Sequence, residues 1–508
     1  MSESSVSSGD LYGLFRSRFA RFLDRAAIVC EDGLTHNYGD LDAISARYAN
    51  LLRQIGVARG DRVAVQVEKS PEAVFLYLAT LRLGGVYVPL NPAYTPAELG
   101  YFVADAEPRA IVCRPEDETI LREISGDAPI LTLSAAGEGS LIERSAGLPS
   151  DFPSAPAGAE DLAAILYTSG TTGRSKGAML THANLAANGR TLQELWAFTS
   201  DDVLLHALPL FHAHGLFVAL HCTLVAAARM LFLPRFDADA VVRLLPHATV
   251  MMGVPTFYTR LLANPGLTRE ACAQIRLFIS GSAPLLAETH HRFRERTGHA
   301  ILERYGMTET GMNCSNPLHG ERLPGSVGPP LPGVEVRVAD AQGNLLESGE
   351  TGVLEVRGPN VFRGYWRMPE KTRAEFRADG YFVTGDVARI DAGGYVHLVG
   401  RARDLIISGG LNVYPKEIED VLDGIEGVAE SSVVGVPHPD FGEAVIAVVL
   451  RSADHPGLTE RAVVTAARQR LAAYKTPKRV FFIDALPRNA MGKVQKNALQ
   501  ERYRALFD

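Results

Sequence analysis

The stretch YTSGTTGRSKG, residues 167–177, is dense in Gly, Ser and Thr and is followed at once by a further apolar run. A strand-like segment, LAAILY, leads directly into it. Glycines let the backbone approach a ligand closely, hydroxyl and amide groups donate hydrogen bonds, and Lys176 supplies positive charge. The stretch therefore predicts a loop that holds phosphate groups. Its spacing differs from the GxxxxGK[ST] pattern of P-loop proteins, and a flexible surface loop is the alternative interpretation.

Upstream of this loop, helical and strand-like patterns alternate. SARYANLLRQIG (45–56) has the spacing of an amphipathic helix, DRVAVQV (61–67) that of a strand, and EAVFLYLATLRLGG (72–85) that of a helix stopped by glycine. The β-rich runs VYVPL and AIVCR follow. Helices that alternate with strands predict an α/β fold whose layers contain parallel strands.

The pattern changes downstream. From about residue 334 to 399, short strands are separated by the turn sequences AQGN, ADG and DAGG, which predicts an antiparallel β-rich region. The last hundred residues form a second, smaller α/β pattern, with the helix KEIEDVLDGI and the strands SSVVGV, AVIAVVL and RVFFI. The segment GRARDLI (400–406) joins the two regions. One interpretation of this segment is a solvated connector without a further function.

The composition of the chain is that of a globular protein. Its 508 residues are 46% hydrophobic and 21% charged, which excludes a disordered or collagen-like chain. The balance of 51 Lys+Arg against 58 Asp+Glu gives a net charge of −7, so nothing favours nucleic acid or an anionic membrane as a partner. An anionic ligand must be held by local donors.

Cysteine usage and hydropathy indicate a soluble cytoplasmic protein. The five cysteines show no metal-ligand spacing and fit reduced thiols better than a disulfide framework: Cys30, Cys113, Cys222, Cys272 and Cys314. The N-terminal residues lack the basic start and apolar run of a secretory signal. The most apolar stretch, 217–234, contains His221 and Arg229, and we predict a buried helix followed by a strand there rather than a membrane span.

Four further motifs follow the glycine-rich loop in order: YGMTET (305–310), YFVTGD (381–386), GRARD (400–404) and PRNAMGKVQK (487–496). Together with the loop they resemble the adenylate-forming superfamily, which comprises acyl-CoA synthetases, luciferases and peptide-synthetase adenylation domains. The resemblance spans nearly the whole chain. It implies a large N-terminal domain of layered α/β sheets, residues 1–399, a hinge at 400–404, and a small mobile C-terminal α+β domain, residues 405–508.

The resemblance also implies ATP, Mg²⁺ and coenzyme A as ligands. Glu309 matches the Mg²⁺ ligand, together with Thr171, and oxygen atoms are what this hard cation prefers. Tyr305 matches the residue that packs on adenine, and Asp386, assisted by Arg401, matches the acceptor for the ribose hydroxyls. The other residues that the resemblance places at the nucleotide are Thr168, Ser169, Gly170, Thr172, Gly173, Lys176, Ser282, Ala283, Pro284, Gly306, Met307 and Thr308, the last as a phosphate donor.

The C-terminal motifs supply the rest of the implied reaction. Lys493 matches the adenylation lysine, and a cation there stabilises the transition state in which a carboxylate attacks the α-phosphate. A thiol then displaces AMP after the small domain rotates about Arg403. Gly409 and Gly410 would leave room for the pantetheine arm of CoA. As weaker candidates for the CoA phosphates we note the two lysines of YKTPKR, Lys475 and Lys478.

Arg304 immediately precedes YGMTET, on the side of the motif that faces the acyl group in the superfamily. The planar guanidinium suits a second carboxylate, so we expect a dicarboxylic acid; an internal ion pair with Glu303 is the alternative. His212, which we also assign a catalytic role, and Ser282 add polar groups to this pocket, as does His214. Together these features resemble the malonyl-CoA synthetases, with methylmalonate as a further possible substrate.

Several alternatives stay open at this point. One is a CoA ligase for another short-chain or aromatic acid, and another is an ATPase that yields ADP. Lys493, on an exposed and mobile segment, is also a candidate for modification by a lysine acyltransferase. The reactive residues Lys493, Glu309 and Asp386 are all present, which argues against a non-catalytic relative.

Overall fold

The structure is a computed structural model that describes residues 10–153, 157–168, 175–340, 342–408, 411–489 and 492–507. Its α-helices are α1 (Leu11–Phe19), α2 (Tyr38–Gln54), α3 (Pro71–Leu83), α4 (Pro96–Ala106), α5 (Glu118–Ile124), α6 (Ser140–Ser145), α7 (His182–Leu195), α8 (His221–Ala226), α9 (Ala238–Leu244), α10 (Pro255–Ala263), α11 (Ala287–Thr297), α12 (Pro369–Glu375), α13 (Pro415–Asp423), α14 (Glu460–Arg468) and α15 (Lys496–Arg502). A π-helical segment, His214–Leu220, precedes α8.

The strands are β1 (Ala26–Cys30), β2 (Thr35–Asn37), β3 (Arg62–Gln66), β4 (Val86–Pro89), β5 (Ala110–Cys113), β6 (Ile130–Thr132), β7 (Leu162–Thr168), β8 (Lys176–Thr181), β9 (Val203–His206), β10 (Arg229–Phe232), β11 (Val250–Gly253), β12 (Leu277–Ser280), β13 (Leu302–Met307), β14 (Gly311–Ser315), β15 (Glu335–Ala339), β16 (Gly352–Arg357), β17 (Gly364–Tyr365), β18 (Phe382–Ile390), β19 (Val396–Arg401), β20 (Ile406–Ser408), β21 (Leu411–Val413), β22 (Val428–His438), β23 (Gly442–Arg451) and β24 (Arg479–Ile483).

Local sequence explains where the central helices begin and end. Helix α3 starts at Pro71 after Ser70, whose side chain accepts a hydrogen bond from the Ala73 amide. It ends at Gly84, which takes a left-handed conformation with φ of +75°. The predicted glycine-stopped helix is therefore confirmed, as is the helix predicted over 45–56, which coincides with the second half of α2 and runs two residues past its end.

Two large sheets form the N-terminal part of the chain. One has the strand order β17-β8-β7-β4-β3-β5-β6 and the other β14-β13-β12-β11-β9-β10-β1-β2. Their central strands pair in parallel, as β3 does with β4 and β5, and β9 with β10 and β11. Because the carboxyl ends of parallel strands meet at one edge, the loops that follow them converge, and this edge carries the site described below.

The later part of the chain is antiparallel, as predicted. Strands β15, β16, β18 and β19 form a four-stranded antiparallel sheet. The C-terminal sheet is built on the long hairpin of β22 and β23, to which β24 adds in parallel. Helix α13 packs on β22, and the apolar faces of α13, α14 and the sheet form a separate hydrophobic core.

The apolar stretch 217–234 forms the end of the π-helical segment, α8 and β10, which confirms the predicted helix and strand. Among the described residues, no helix is long and apolar enough to cross a membrane. All five cysteines are described and free; Cys30 is partly buried and the other four are buried. Burial raises the pKa of the thiols of Cys30, Cys113 and Cys272 to about 11, 12 and 12.

Candidate active site

The predicted phosphate loop connects β7 to β8. Ser169, Gly170, Thr171, Thr172 and Gly173 lie outside the described residues, so their assignment stays a prediction. The two residues that flank the loop, Thr168 and Lys176, face each other across the β7–β8 pair. The Thr168 hydroxyl is 3.4 Å from the Lys176 carbonyl and 3.5 Å from a Glu309 carboxylate oxygen. The strand that precedes the loop thus ends next to the predicted magnesium ligand.

Lys176 makes contacts that the sequence did not indicate. Its ammonium nitrogen lies 3.2 Å from Glu375 and 4.2 Å from the centroid of the Tyr365 ring. The Tyr365 hydroxyl in turn lies 2.7 Å from Glu375 and 3.1 Å from Glu309. Lys176, Glu375 and Tyr365 therefore form a connected network that holds the Glu309 carboxylate in place. Tyr365 and Glu375 belong to no motif recognised in the sequence.

Glu309 has the properties of a magnesium ligand. The residue is buried, and burial raises the pKa of its carboxyl group. A buried carboxylate is costly without a positive partner, and the ammonium group of Lys176, whose charge acts on Glu309, is itself paired with Glu375. The described residues hold no group of three or more His, Cys, Asp and Glu side chains that could bind a metal by themselves. Glu309 thus fits a cation that takes its other oxygen ligands from phosphate groups or water.

A second cluster joins the predicted adenine and ribose residues. Asp386 and Arg401 are opposite each other on β18 and β19, and the Arg401 Nε lies 2.7 Å from an Asp386 oxygen. The Tyr305 hydroxyl donates a hydrogen bond to the other Asp386 oxygen. Burial and the negative charge of Asp386 raise the pKa of Tyr305, so it remains a donor. The structure therefore brings together the three residues that the sequence assigned to the nucleoside.

Lys493 reaches the same cleft from the C-terminal end of the chain. Two hydrogen bonds with Asn489 close the turn that carries it. The Asn489 side chain accepts from the Lys493 amide at 3.0 Å, and the Asn489 backbone amide donates to the Lys493 carbonyl at 2.9 Å. The neighbouring Gly492 lies against Thr256, so closely that a Cβ there would be 3.0 Å from the Thr256 hydroxyl. The lysine keeps accessible surface within the cleft. Burial first, and then the positive charge of Arg401, lower the pKa of its ammonium group.

The charge of Lys493 interacts with ionisable groups on both sides of the site. The carboxylates of Asp386 and Glu309 act on the Lys493 pKa in the direction that favours its charged form. Burial, followed by the charge of Lys493, lowers the pKa of His212 to about 3. His212 is therefore neutral near neutral pH and able to accept a hydrogen bond. These couplings indicate that Lys493 lies near Glu309, Asp386 and His212.

Arg304 lies close enough to His214 for its charge to act on that ring, and 2% of its surface is exposed. Its Nε and Nη2 atoms are buried and have no hydrogen-bond partner among the described residues. Gly281 leaves the space for the guanidinium, because a Cβ there would be 2.4 Å from Cζ. Burial lowers the pKa of Arg304 to about 10, so the group remains charged at neutral pH.

The alternative of an internal ion pair between Arg304 and Glu303 is wrong. The two side chains project from opposite faces of β13, as successive strand residues do. The Glu303 carboxylate accepts a hydrogen bond from the Leu285 amide at 3.0 Å. Arg304 is thus a buried cation without a protein carboxylate to neutralise it, within the described part of the chain.

Two further polar groups face the same space. The Ser282 hydroxyl is 3.2 Å from Nδ1 of His214, and the His214 Nε2 is buried without a partner in the described ranges. The positive charge of Arg304 adds to burial in lowering the pKa of His214. Ser282 has a φ of +71°, a strained conformation for a residue with a side chain. Ala283 and Pro284 continue this loop towards α11.

The remainder of the YGMTET motif forms a close turn between β13 and β14. Gly306 permits it, because a Cβ there would be 2.0 Å from the Gly311 carbonyl oxygen. Met307 and Thr308 follow as half-buried residues at the end of β13. The turn places Thr308 directly before Glu309, on the side of the cleft that holds the network of Lys176, Glu375 and Tyr365.

The structure describes only some of the residues predicted to act in the second half-reaction. Gly409 and Gly410 lie outside the described residues. Arg403 is in a single helical turn, Ala402–Asp404, and its Nε lies 3.5 Å from the Asp404 carboxylate. Lys475 is paired with Glu417 at 2.6 Å. The ammonium nitrogen of Lys478 lies 4.7 Å from the centroid of the Phe441 ring. Unlike Lys475, Lys478 has no carboxylate partner within the described ranges.

Comparisons with known proteins agree with this geometry. The AMP-binding enzyme family matches residues 15–366, and the C-terminal domain of AMP-binding enzymes matches residues 417–493. This chain belongs to the AMP-binding enzyme family. The sequence-based assignment to the adenylate-forming superfamily is thereby confirmed, and so is the predicted α/β fold with its β-rich region.

Three members of the family illustrate the similarity. The ATP-bound MatB from Rhodopseudomonas palustris is 55% identical, with a TM-score of 0.97 over 99% of this chain and 100% of that chain. The mitochondrial malonate–CoA ligase ACSF3 of Homo sapiens is 36% identical over 528 residues, covering 95% of this chain and 91% of the relative. A feruloyl-CoA synthase from Amycolatopsis sp is 37% identical over 499 residues, covering 97% and 99%.

Proposed function

We propose that this AMP-binding enzyme is an ATP-dependent CoA ligase that converts malonate into malonyl-CoA, AMP and pyrophosphate. The observation that carries the proposal is Arg304, a buried residue whose guanidinium has two nitrogen atoms without a partner among the described residues. A second carboxylate would satisfy both nitrogens with two parallel hydrogen bonds. Malonate has such a group two bonds from the carboxylate that reacts. The relatives named malonate–CoA ligase support the same substrate, and the 55% identical, ATP-bound MatB supports ATP as the nucleotide.

For the first half-reaction, we propose that ATP lies between the two clusters of the cleft. Asp386 and Arg401 would bind the ribose, Tyr305 would pack on adenine, and Glu309 would hold Mg²⁺ with Thr171. The bound Mg²⁺ would neutralise charge on the phosphate groups. Lys493 would approach the two anions that react, the malonate carboxylate and the α-phosphate, and stabilise the charge that develops as they join.

We assign the remaining nucleotide contacts to the glycine-rich loop, the Ser282 loop and the YGMTET turn. The loop residues Thr168, Thr172 and Lys176 would face the phosphates, and Thr308 would donate a hydrogen bond to one of them. His212, which is neutral, would accept a hydrogen bond near the reacting carboxylate. Ser282 and His214 would complete the polar wall that holds the distal carboxylate beside Arg304.

For the second half-reaction, we propose that residues 405–508 rotate relative to residues 1–399 about a hinge at 400–404. Support comes from the chain itself: the four-stranded sheet ends with β19 at Arg401, and the C-terminal sheet begins with β20 at Ile406. Rotation at Arg403 would withdraw Lys493 and bring Gly409 and Gly410 towards the pantetheine arm. Lys478, which has no carboxylate partner in the described part of the chain, is the better of the two lysines for a CoA phosphate.

A CoA-ligation assay over acetate, malonate, methylmalonate, succinate, benzoate and octanoate tests the substrate. We expect malonate to give the highest kcat/KM, followed by methylmalonate, with AMP rather than ADP as the nucleotide product. Succinate, which is one carbon longer, reports how strictly Arg304 sets the distance between the two carboxylates. A preference for benzoate or octanoate would contradict the dicarboxylate assignment and favour an aromatic or fatty acid. ADP as the product would contradict the ligase mechanism itself.

We also propose that Lys493 is a target of a lysine acyltransferase, which would switch off the first half-reaction by removing the charge. The accessible surface of Lys493 and its lowered pKa support this, because an amine reacts in its neutral form. Mass spectrometry of the protein isolated from cells tests it: finding only unmodified Lys493 across growth conditions would contradict the proposal. The five free cysteines support a reducing compartment, and we propose the cytoplasm.

A further inference from the structure

A buried lysine outside the motifs lies between the two large sheets. Lys69 follows β3 and directly precedes Ser70, the N-cap of α3, and 8% of its surface is exposed. Its ammonium nitrogen is 4.3 Å from the centroid of the Phe232 ring, at the end of β10 in the other sheet. Burial lowers the pKa of Lys69 well below its usual value. A buried amine of this kind is costly, so the contacts that it makes are informative.

Lys69 is the first member of a chain of hydrogen bonds that ends at the acyl side of the site. Its Nζ donates to the His206 carbonyl at 2.7 Å and lies 2.9 Å from the His206 Nδ1. The His206 Nε2 lies 3.0 Å from the carbonyl oxygen of Gly215. Because that oxygen only accepts, Nε2 carries the proton, and Nδ1 is then the acceptor for Lys69. The order of donation is therefore Lys69 to His206 to Gly215.

The hydrogen bond between His206 and Gly215 joins the two ends of one short segment. His206 is the last residue of β9 and Gly215 lies in the first turn of the π-helical segment, so the intervening residues 207–214 form a closed loop. His212 and His214 are both in it. The loop is tight, because a Cβ on Gly215 would be 2.0 Å from the Pro209 carbonyl oxygen. A second bond, from the Leu216 amide to the His212 carbonyl at 2.9 Å, continues the same turn.

We infer that Lys69 and His206 are positioning residues that fix the segment 207–214 and thereby the acid pocket between His214, Ser282 and Arg304. The inference rests on the proposed function, since it assigns these residues to the acid side of the same site. Without the bond to Gly215, the ends of the segment are free to separate. A displacement of about 1 Å in a group that positions a substrate can cost about 100-fold in rate.

Steady-state kinetics of four variants test this inference. Lys69→Met keeps an unbranched side chain one atom shorter and removes the donor, and His206→Leu removes both bonds of the ring. His206→Gln keeps an N–H donor for Gly215. His182→Leu is the matched control, because His182 is equally buried and accepts from the Leu11 amide, at the end of β8 away from Lys176. The acid used is the one that the unsubstituted protein activates best.

We expect Lys69→Met and His206→Leu to raise the KM for the acid at least tenfold while changing the KM for ATP less than twofold. His206→Gln should recover most of the acid affinity, and His182→Leu should lower the melting temperature without changing the ratio of the two KM values. If both KM values change equally, or neither does, the two residues are only structural and the inference is wrong. Should Lys69→Met fail to fold, the pair His206→Leu and His206→Gln decides.

The same measurements separate this inference from the proposed function. If the unsubstituted protein prefers an acid other than malonate, the substrate assignment fails, but the effect of Lys69→Met on that acid still decides the positioning role. If malonate is preferred and the variants leave its KM unchanged, the substrate assignment holds and the positioning role fails.

Discussion

Replacing Arg304 by leucine should separate the binding of the acid from that of ATP. Arg304 has 2% of its surface exposed and two of its guanidinium nitrogen atoms lack partners among the described residues, so a bound carboxylate would supply the missing partner. Breaking a buried ion pair by removing one partner costs about 3–5 kcal/mol. At about 1.4 kcal/mol for each factor of ten, kcat/KM for malonate should fall by about 10²–10⁴-fold.

The nucleotide side of the site provides an internal control. Glu309 is held by Tyr365, and Asp386 by Tyr305 and Arg401, and none of these contacts involves Arg304. The KM for ATP should therefore change less than twofold in Arg304→Leu. Butyrate, whose methyl end would meet leucine rather than an unpaired guanidinium, should become a weak substrate. Pyrophosphate release with malonate and butyrate measures both changes.

Stability distinguishes this mechanism from a structural role. A buried donor without a partner costs about 1–3 kcal/mol, so removing Arg304 should leave the melting temperature unchanged or raise it. Arg276→Leu is the matched control: Arg276 is paired with the buried Asp202 at 2.7 Å, and its loss should lower the melting temperature without altering the preference for malonate over butyrate. If Arg304→Leu melts at the native temperature and keeps full malonate selectivity, the dicarboxylate assignment is refuted.

Three further substitutions test other parts of the site. Lys493→Ala should reduce adenylate formation by about 10²–10³-fold or more and leave thioester formation from a supplied acyl adenylate nearly intact. An equal loss of rate in both assays would show that the lysine has a structural role. Arg403→Pro should slow the exchange between half-reactions without weakening ATP binding, because proline fixes one backbone angle. Unchanged rates of both half-reactions would exclude a hinge at Arg403. Burial raises the pKa of Glu303 from 4.5 to about 7, so its protonated form contributes stability that is fully present below about 4.5 and is lost as the pH rises through 7. Glu303→Gln, which keeps an acceptor for the Leu285 amide, should therefore melt higher than the native protein at pH 8 and no higher at pH 4, and equal melting curves at pH 8 would show that Glu303 is not held in this state.

Much of the fold could be predicted because its signals are local. Ser70 and Gly84 mark the ends of α3, and turn sequences such as ADG and DAGG separate the strands of the antiparallel sheet. The family motifs then placed Glu309 and Asp386 at one cleft, although motifs alone give no contacts. In the described residues Arg401 contacts Asp386, and the charges of Arg401 and Lys493 are both coupled to Glu309.

The contacts that sequence reasoning missed are those between residues far apart in the chain. Glu375 pairs with Lys176 across 199 positions, and Lys69 bonds to His206 across 137. No periodicity or spacing relates such positions, because the sheets bring them together only after the strands have paired. Whether Arg304 was paired with Glu303 was equally undecidable from the sequence, since it depends on which face of β13 each side chain occupies.

The state of the cysteines has a consequence for an enzyme that makes an activated acyl group. Acyl adenylates and thioesters both transfer their acyl group to a thiolate, so a reactive cysteine near the cleft would divert the product onto the protein itself. Here burial keeps the sulfur atoms protonated, and the thiol pKa of Cys30 is about 11. At Cys222 burial also raises the thiol pKa, although the nearby positive charge of Arg304 acts to lower it. The only thiol presented to the activated acid is then the one that the co-substrate brings.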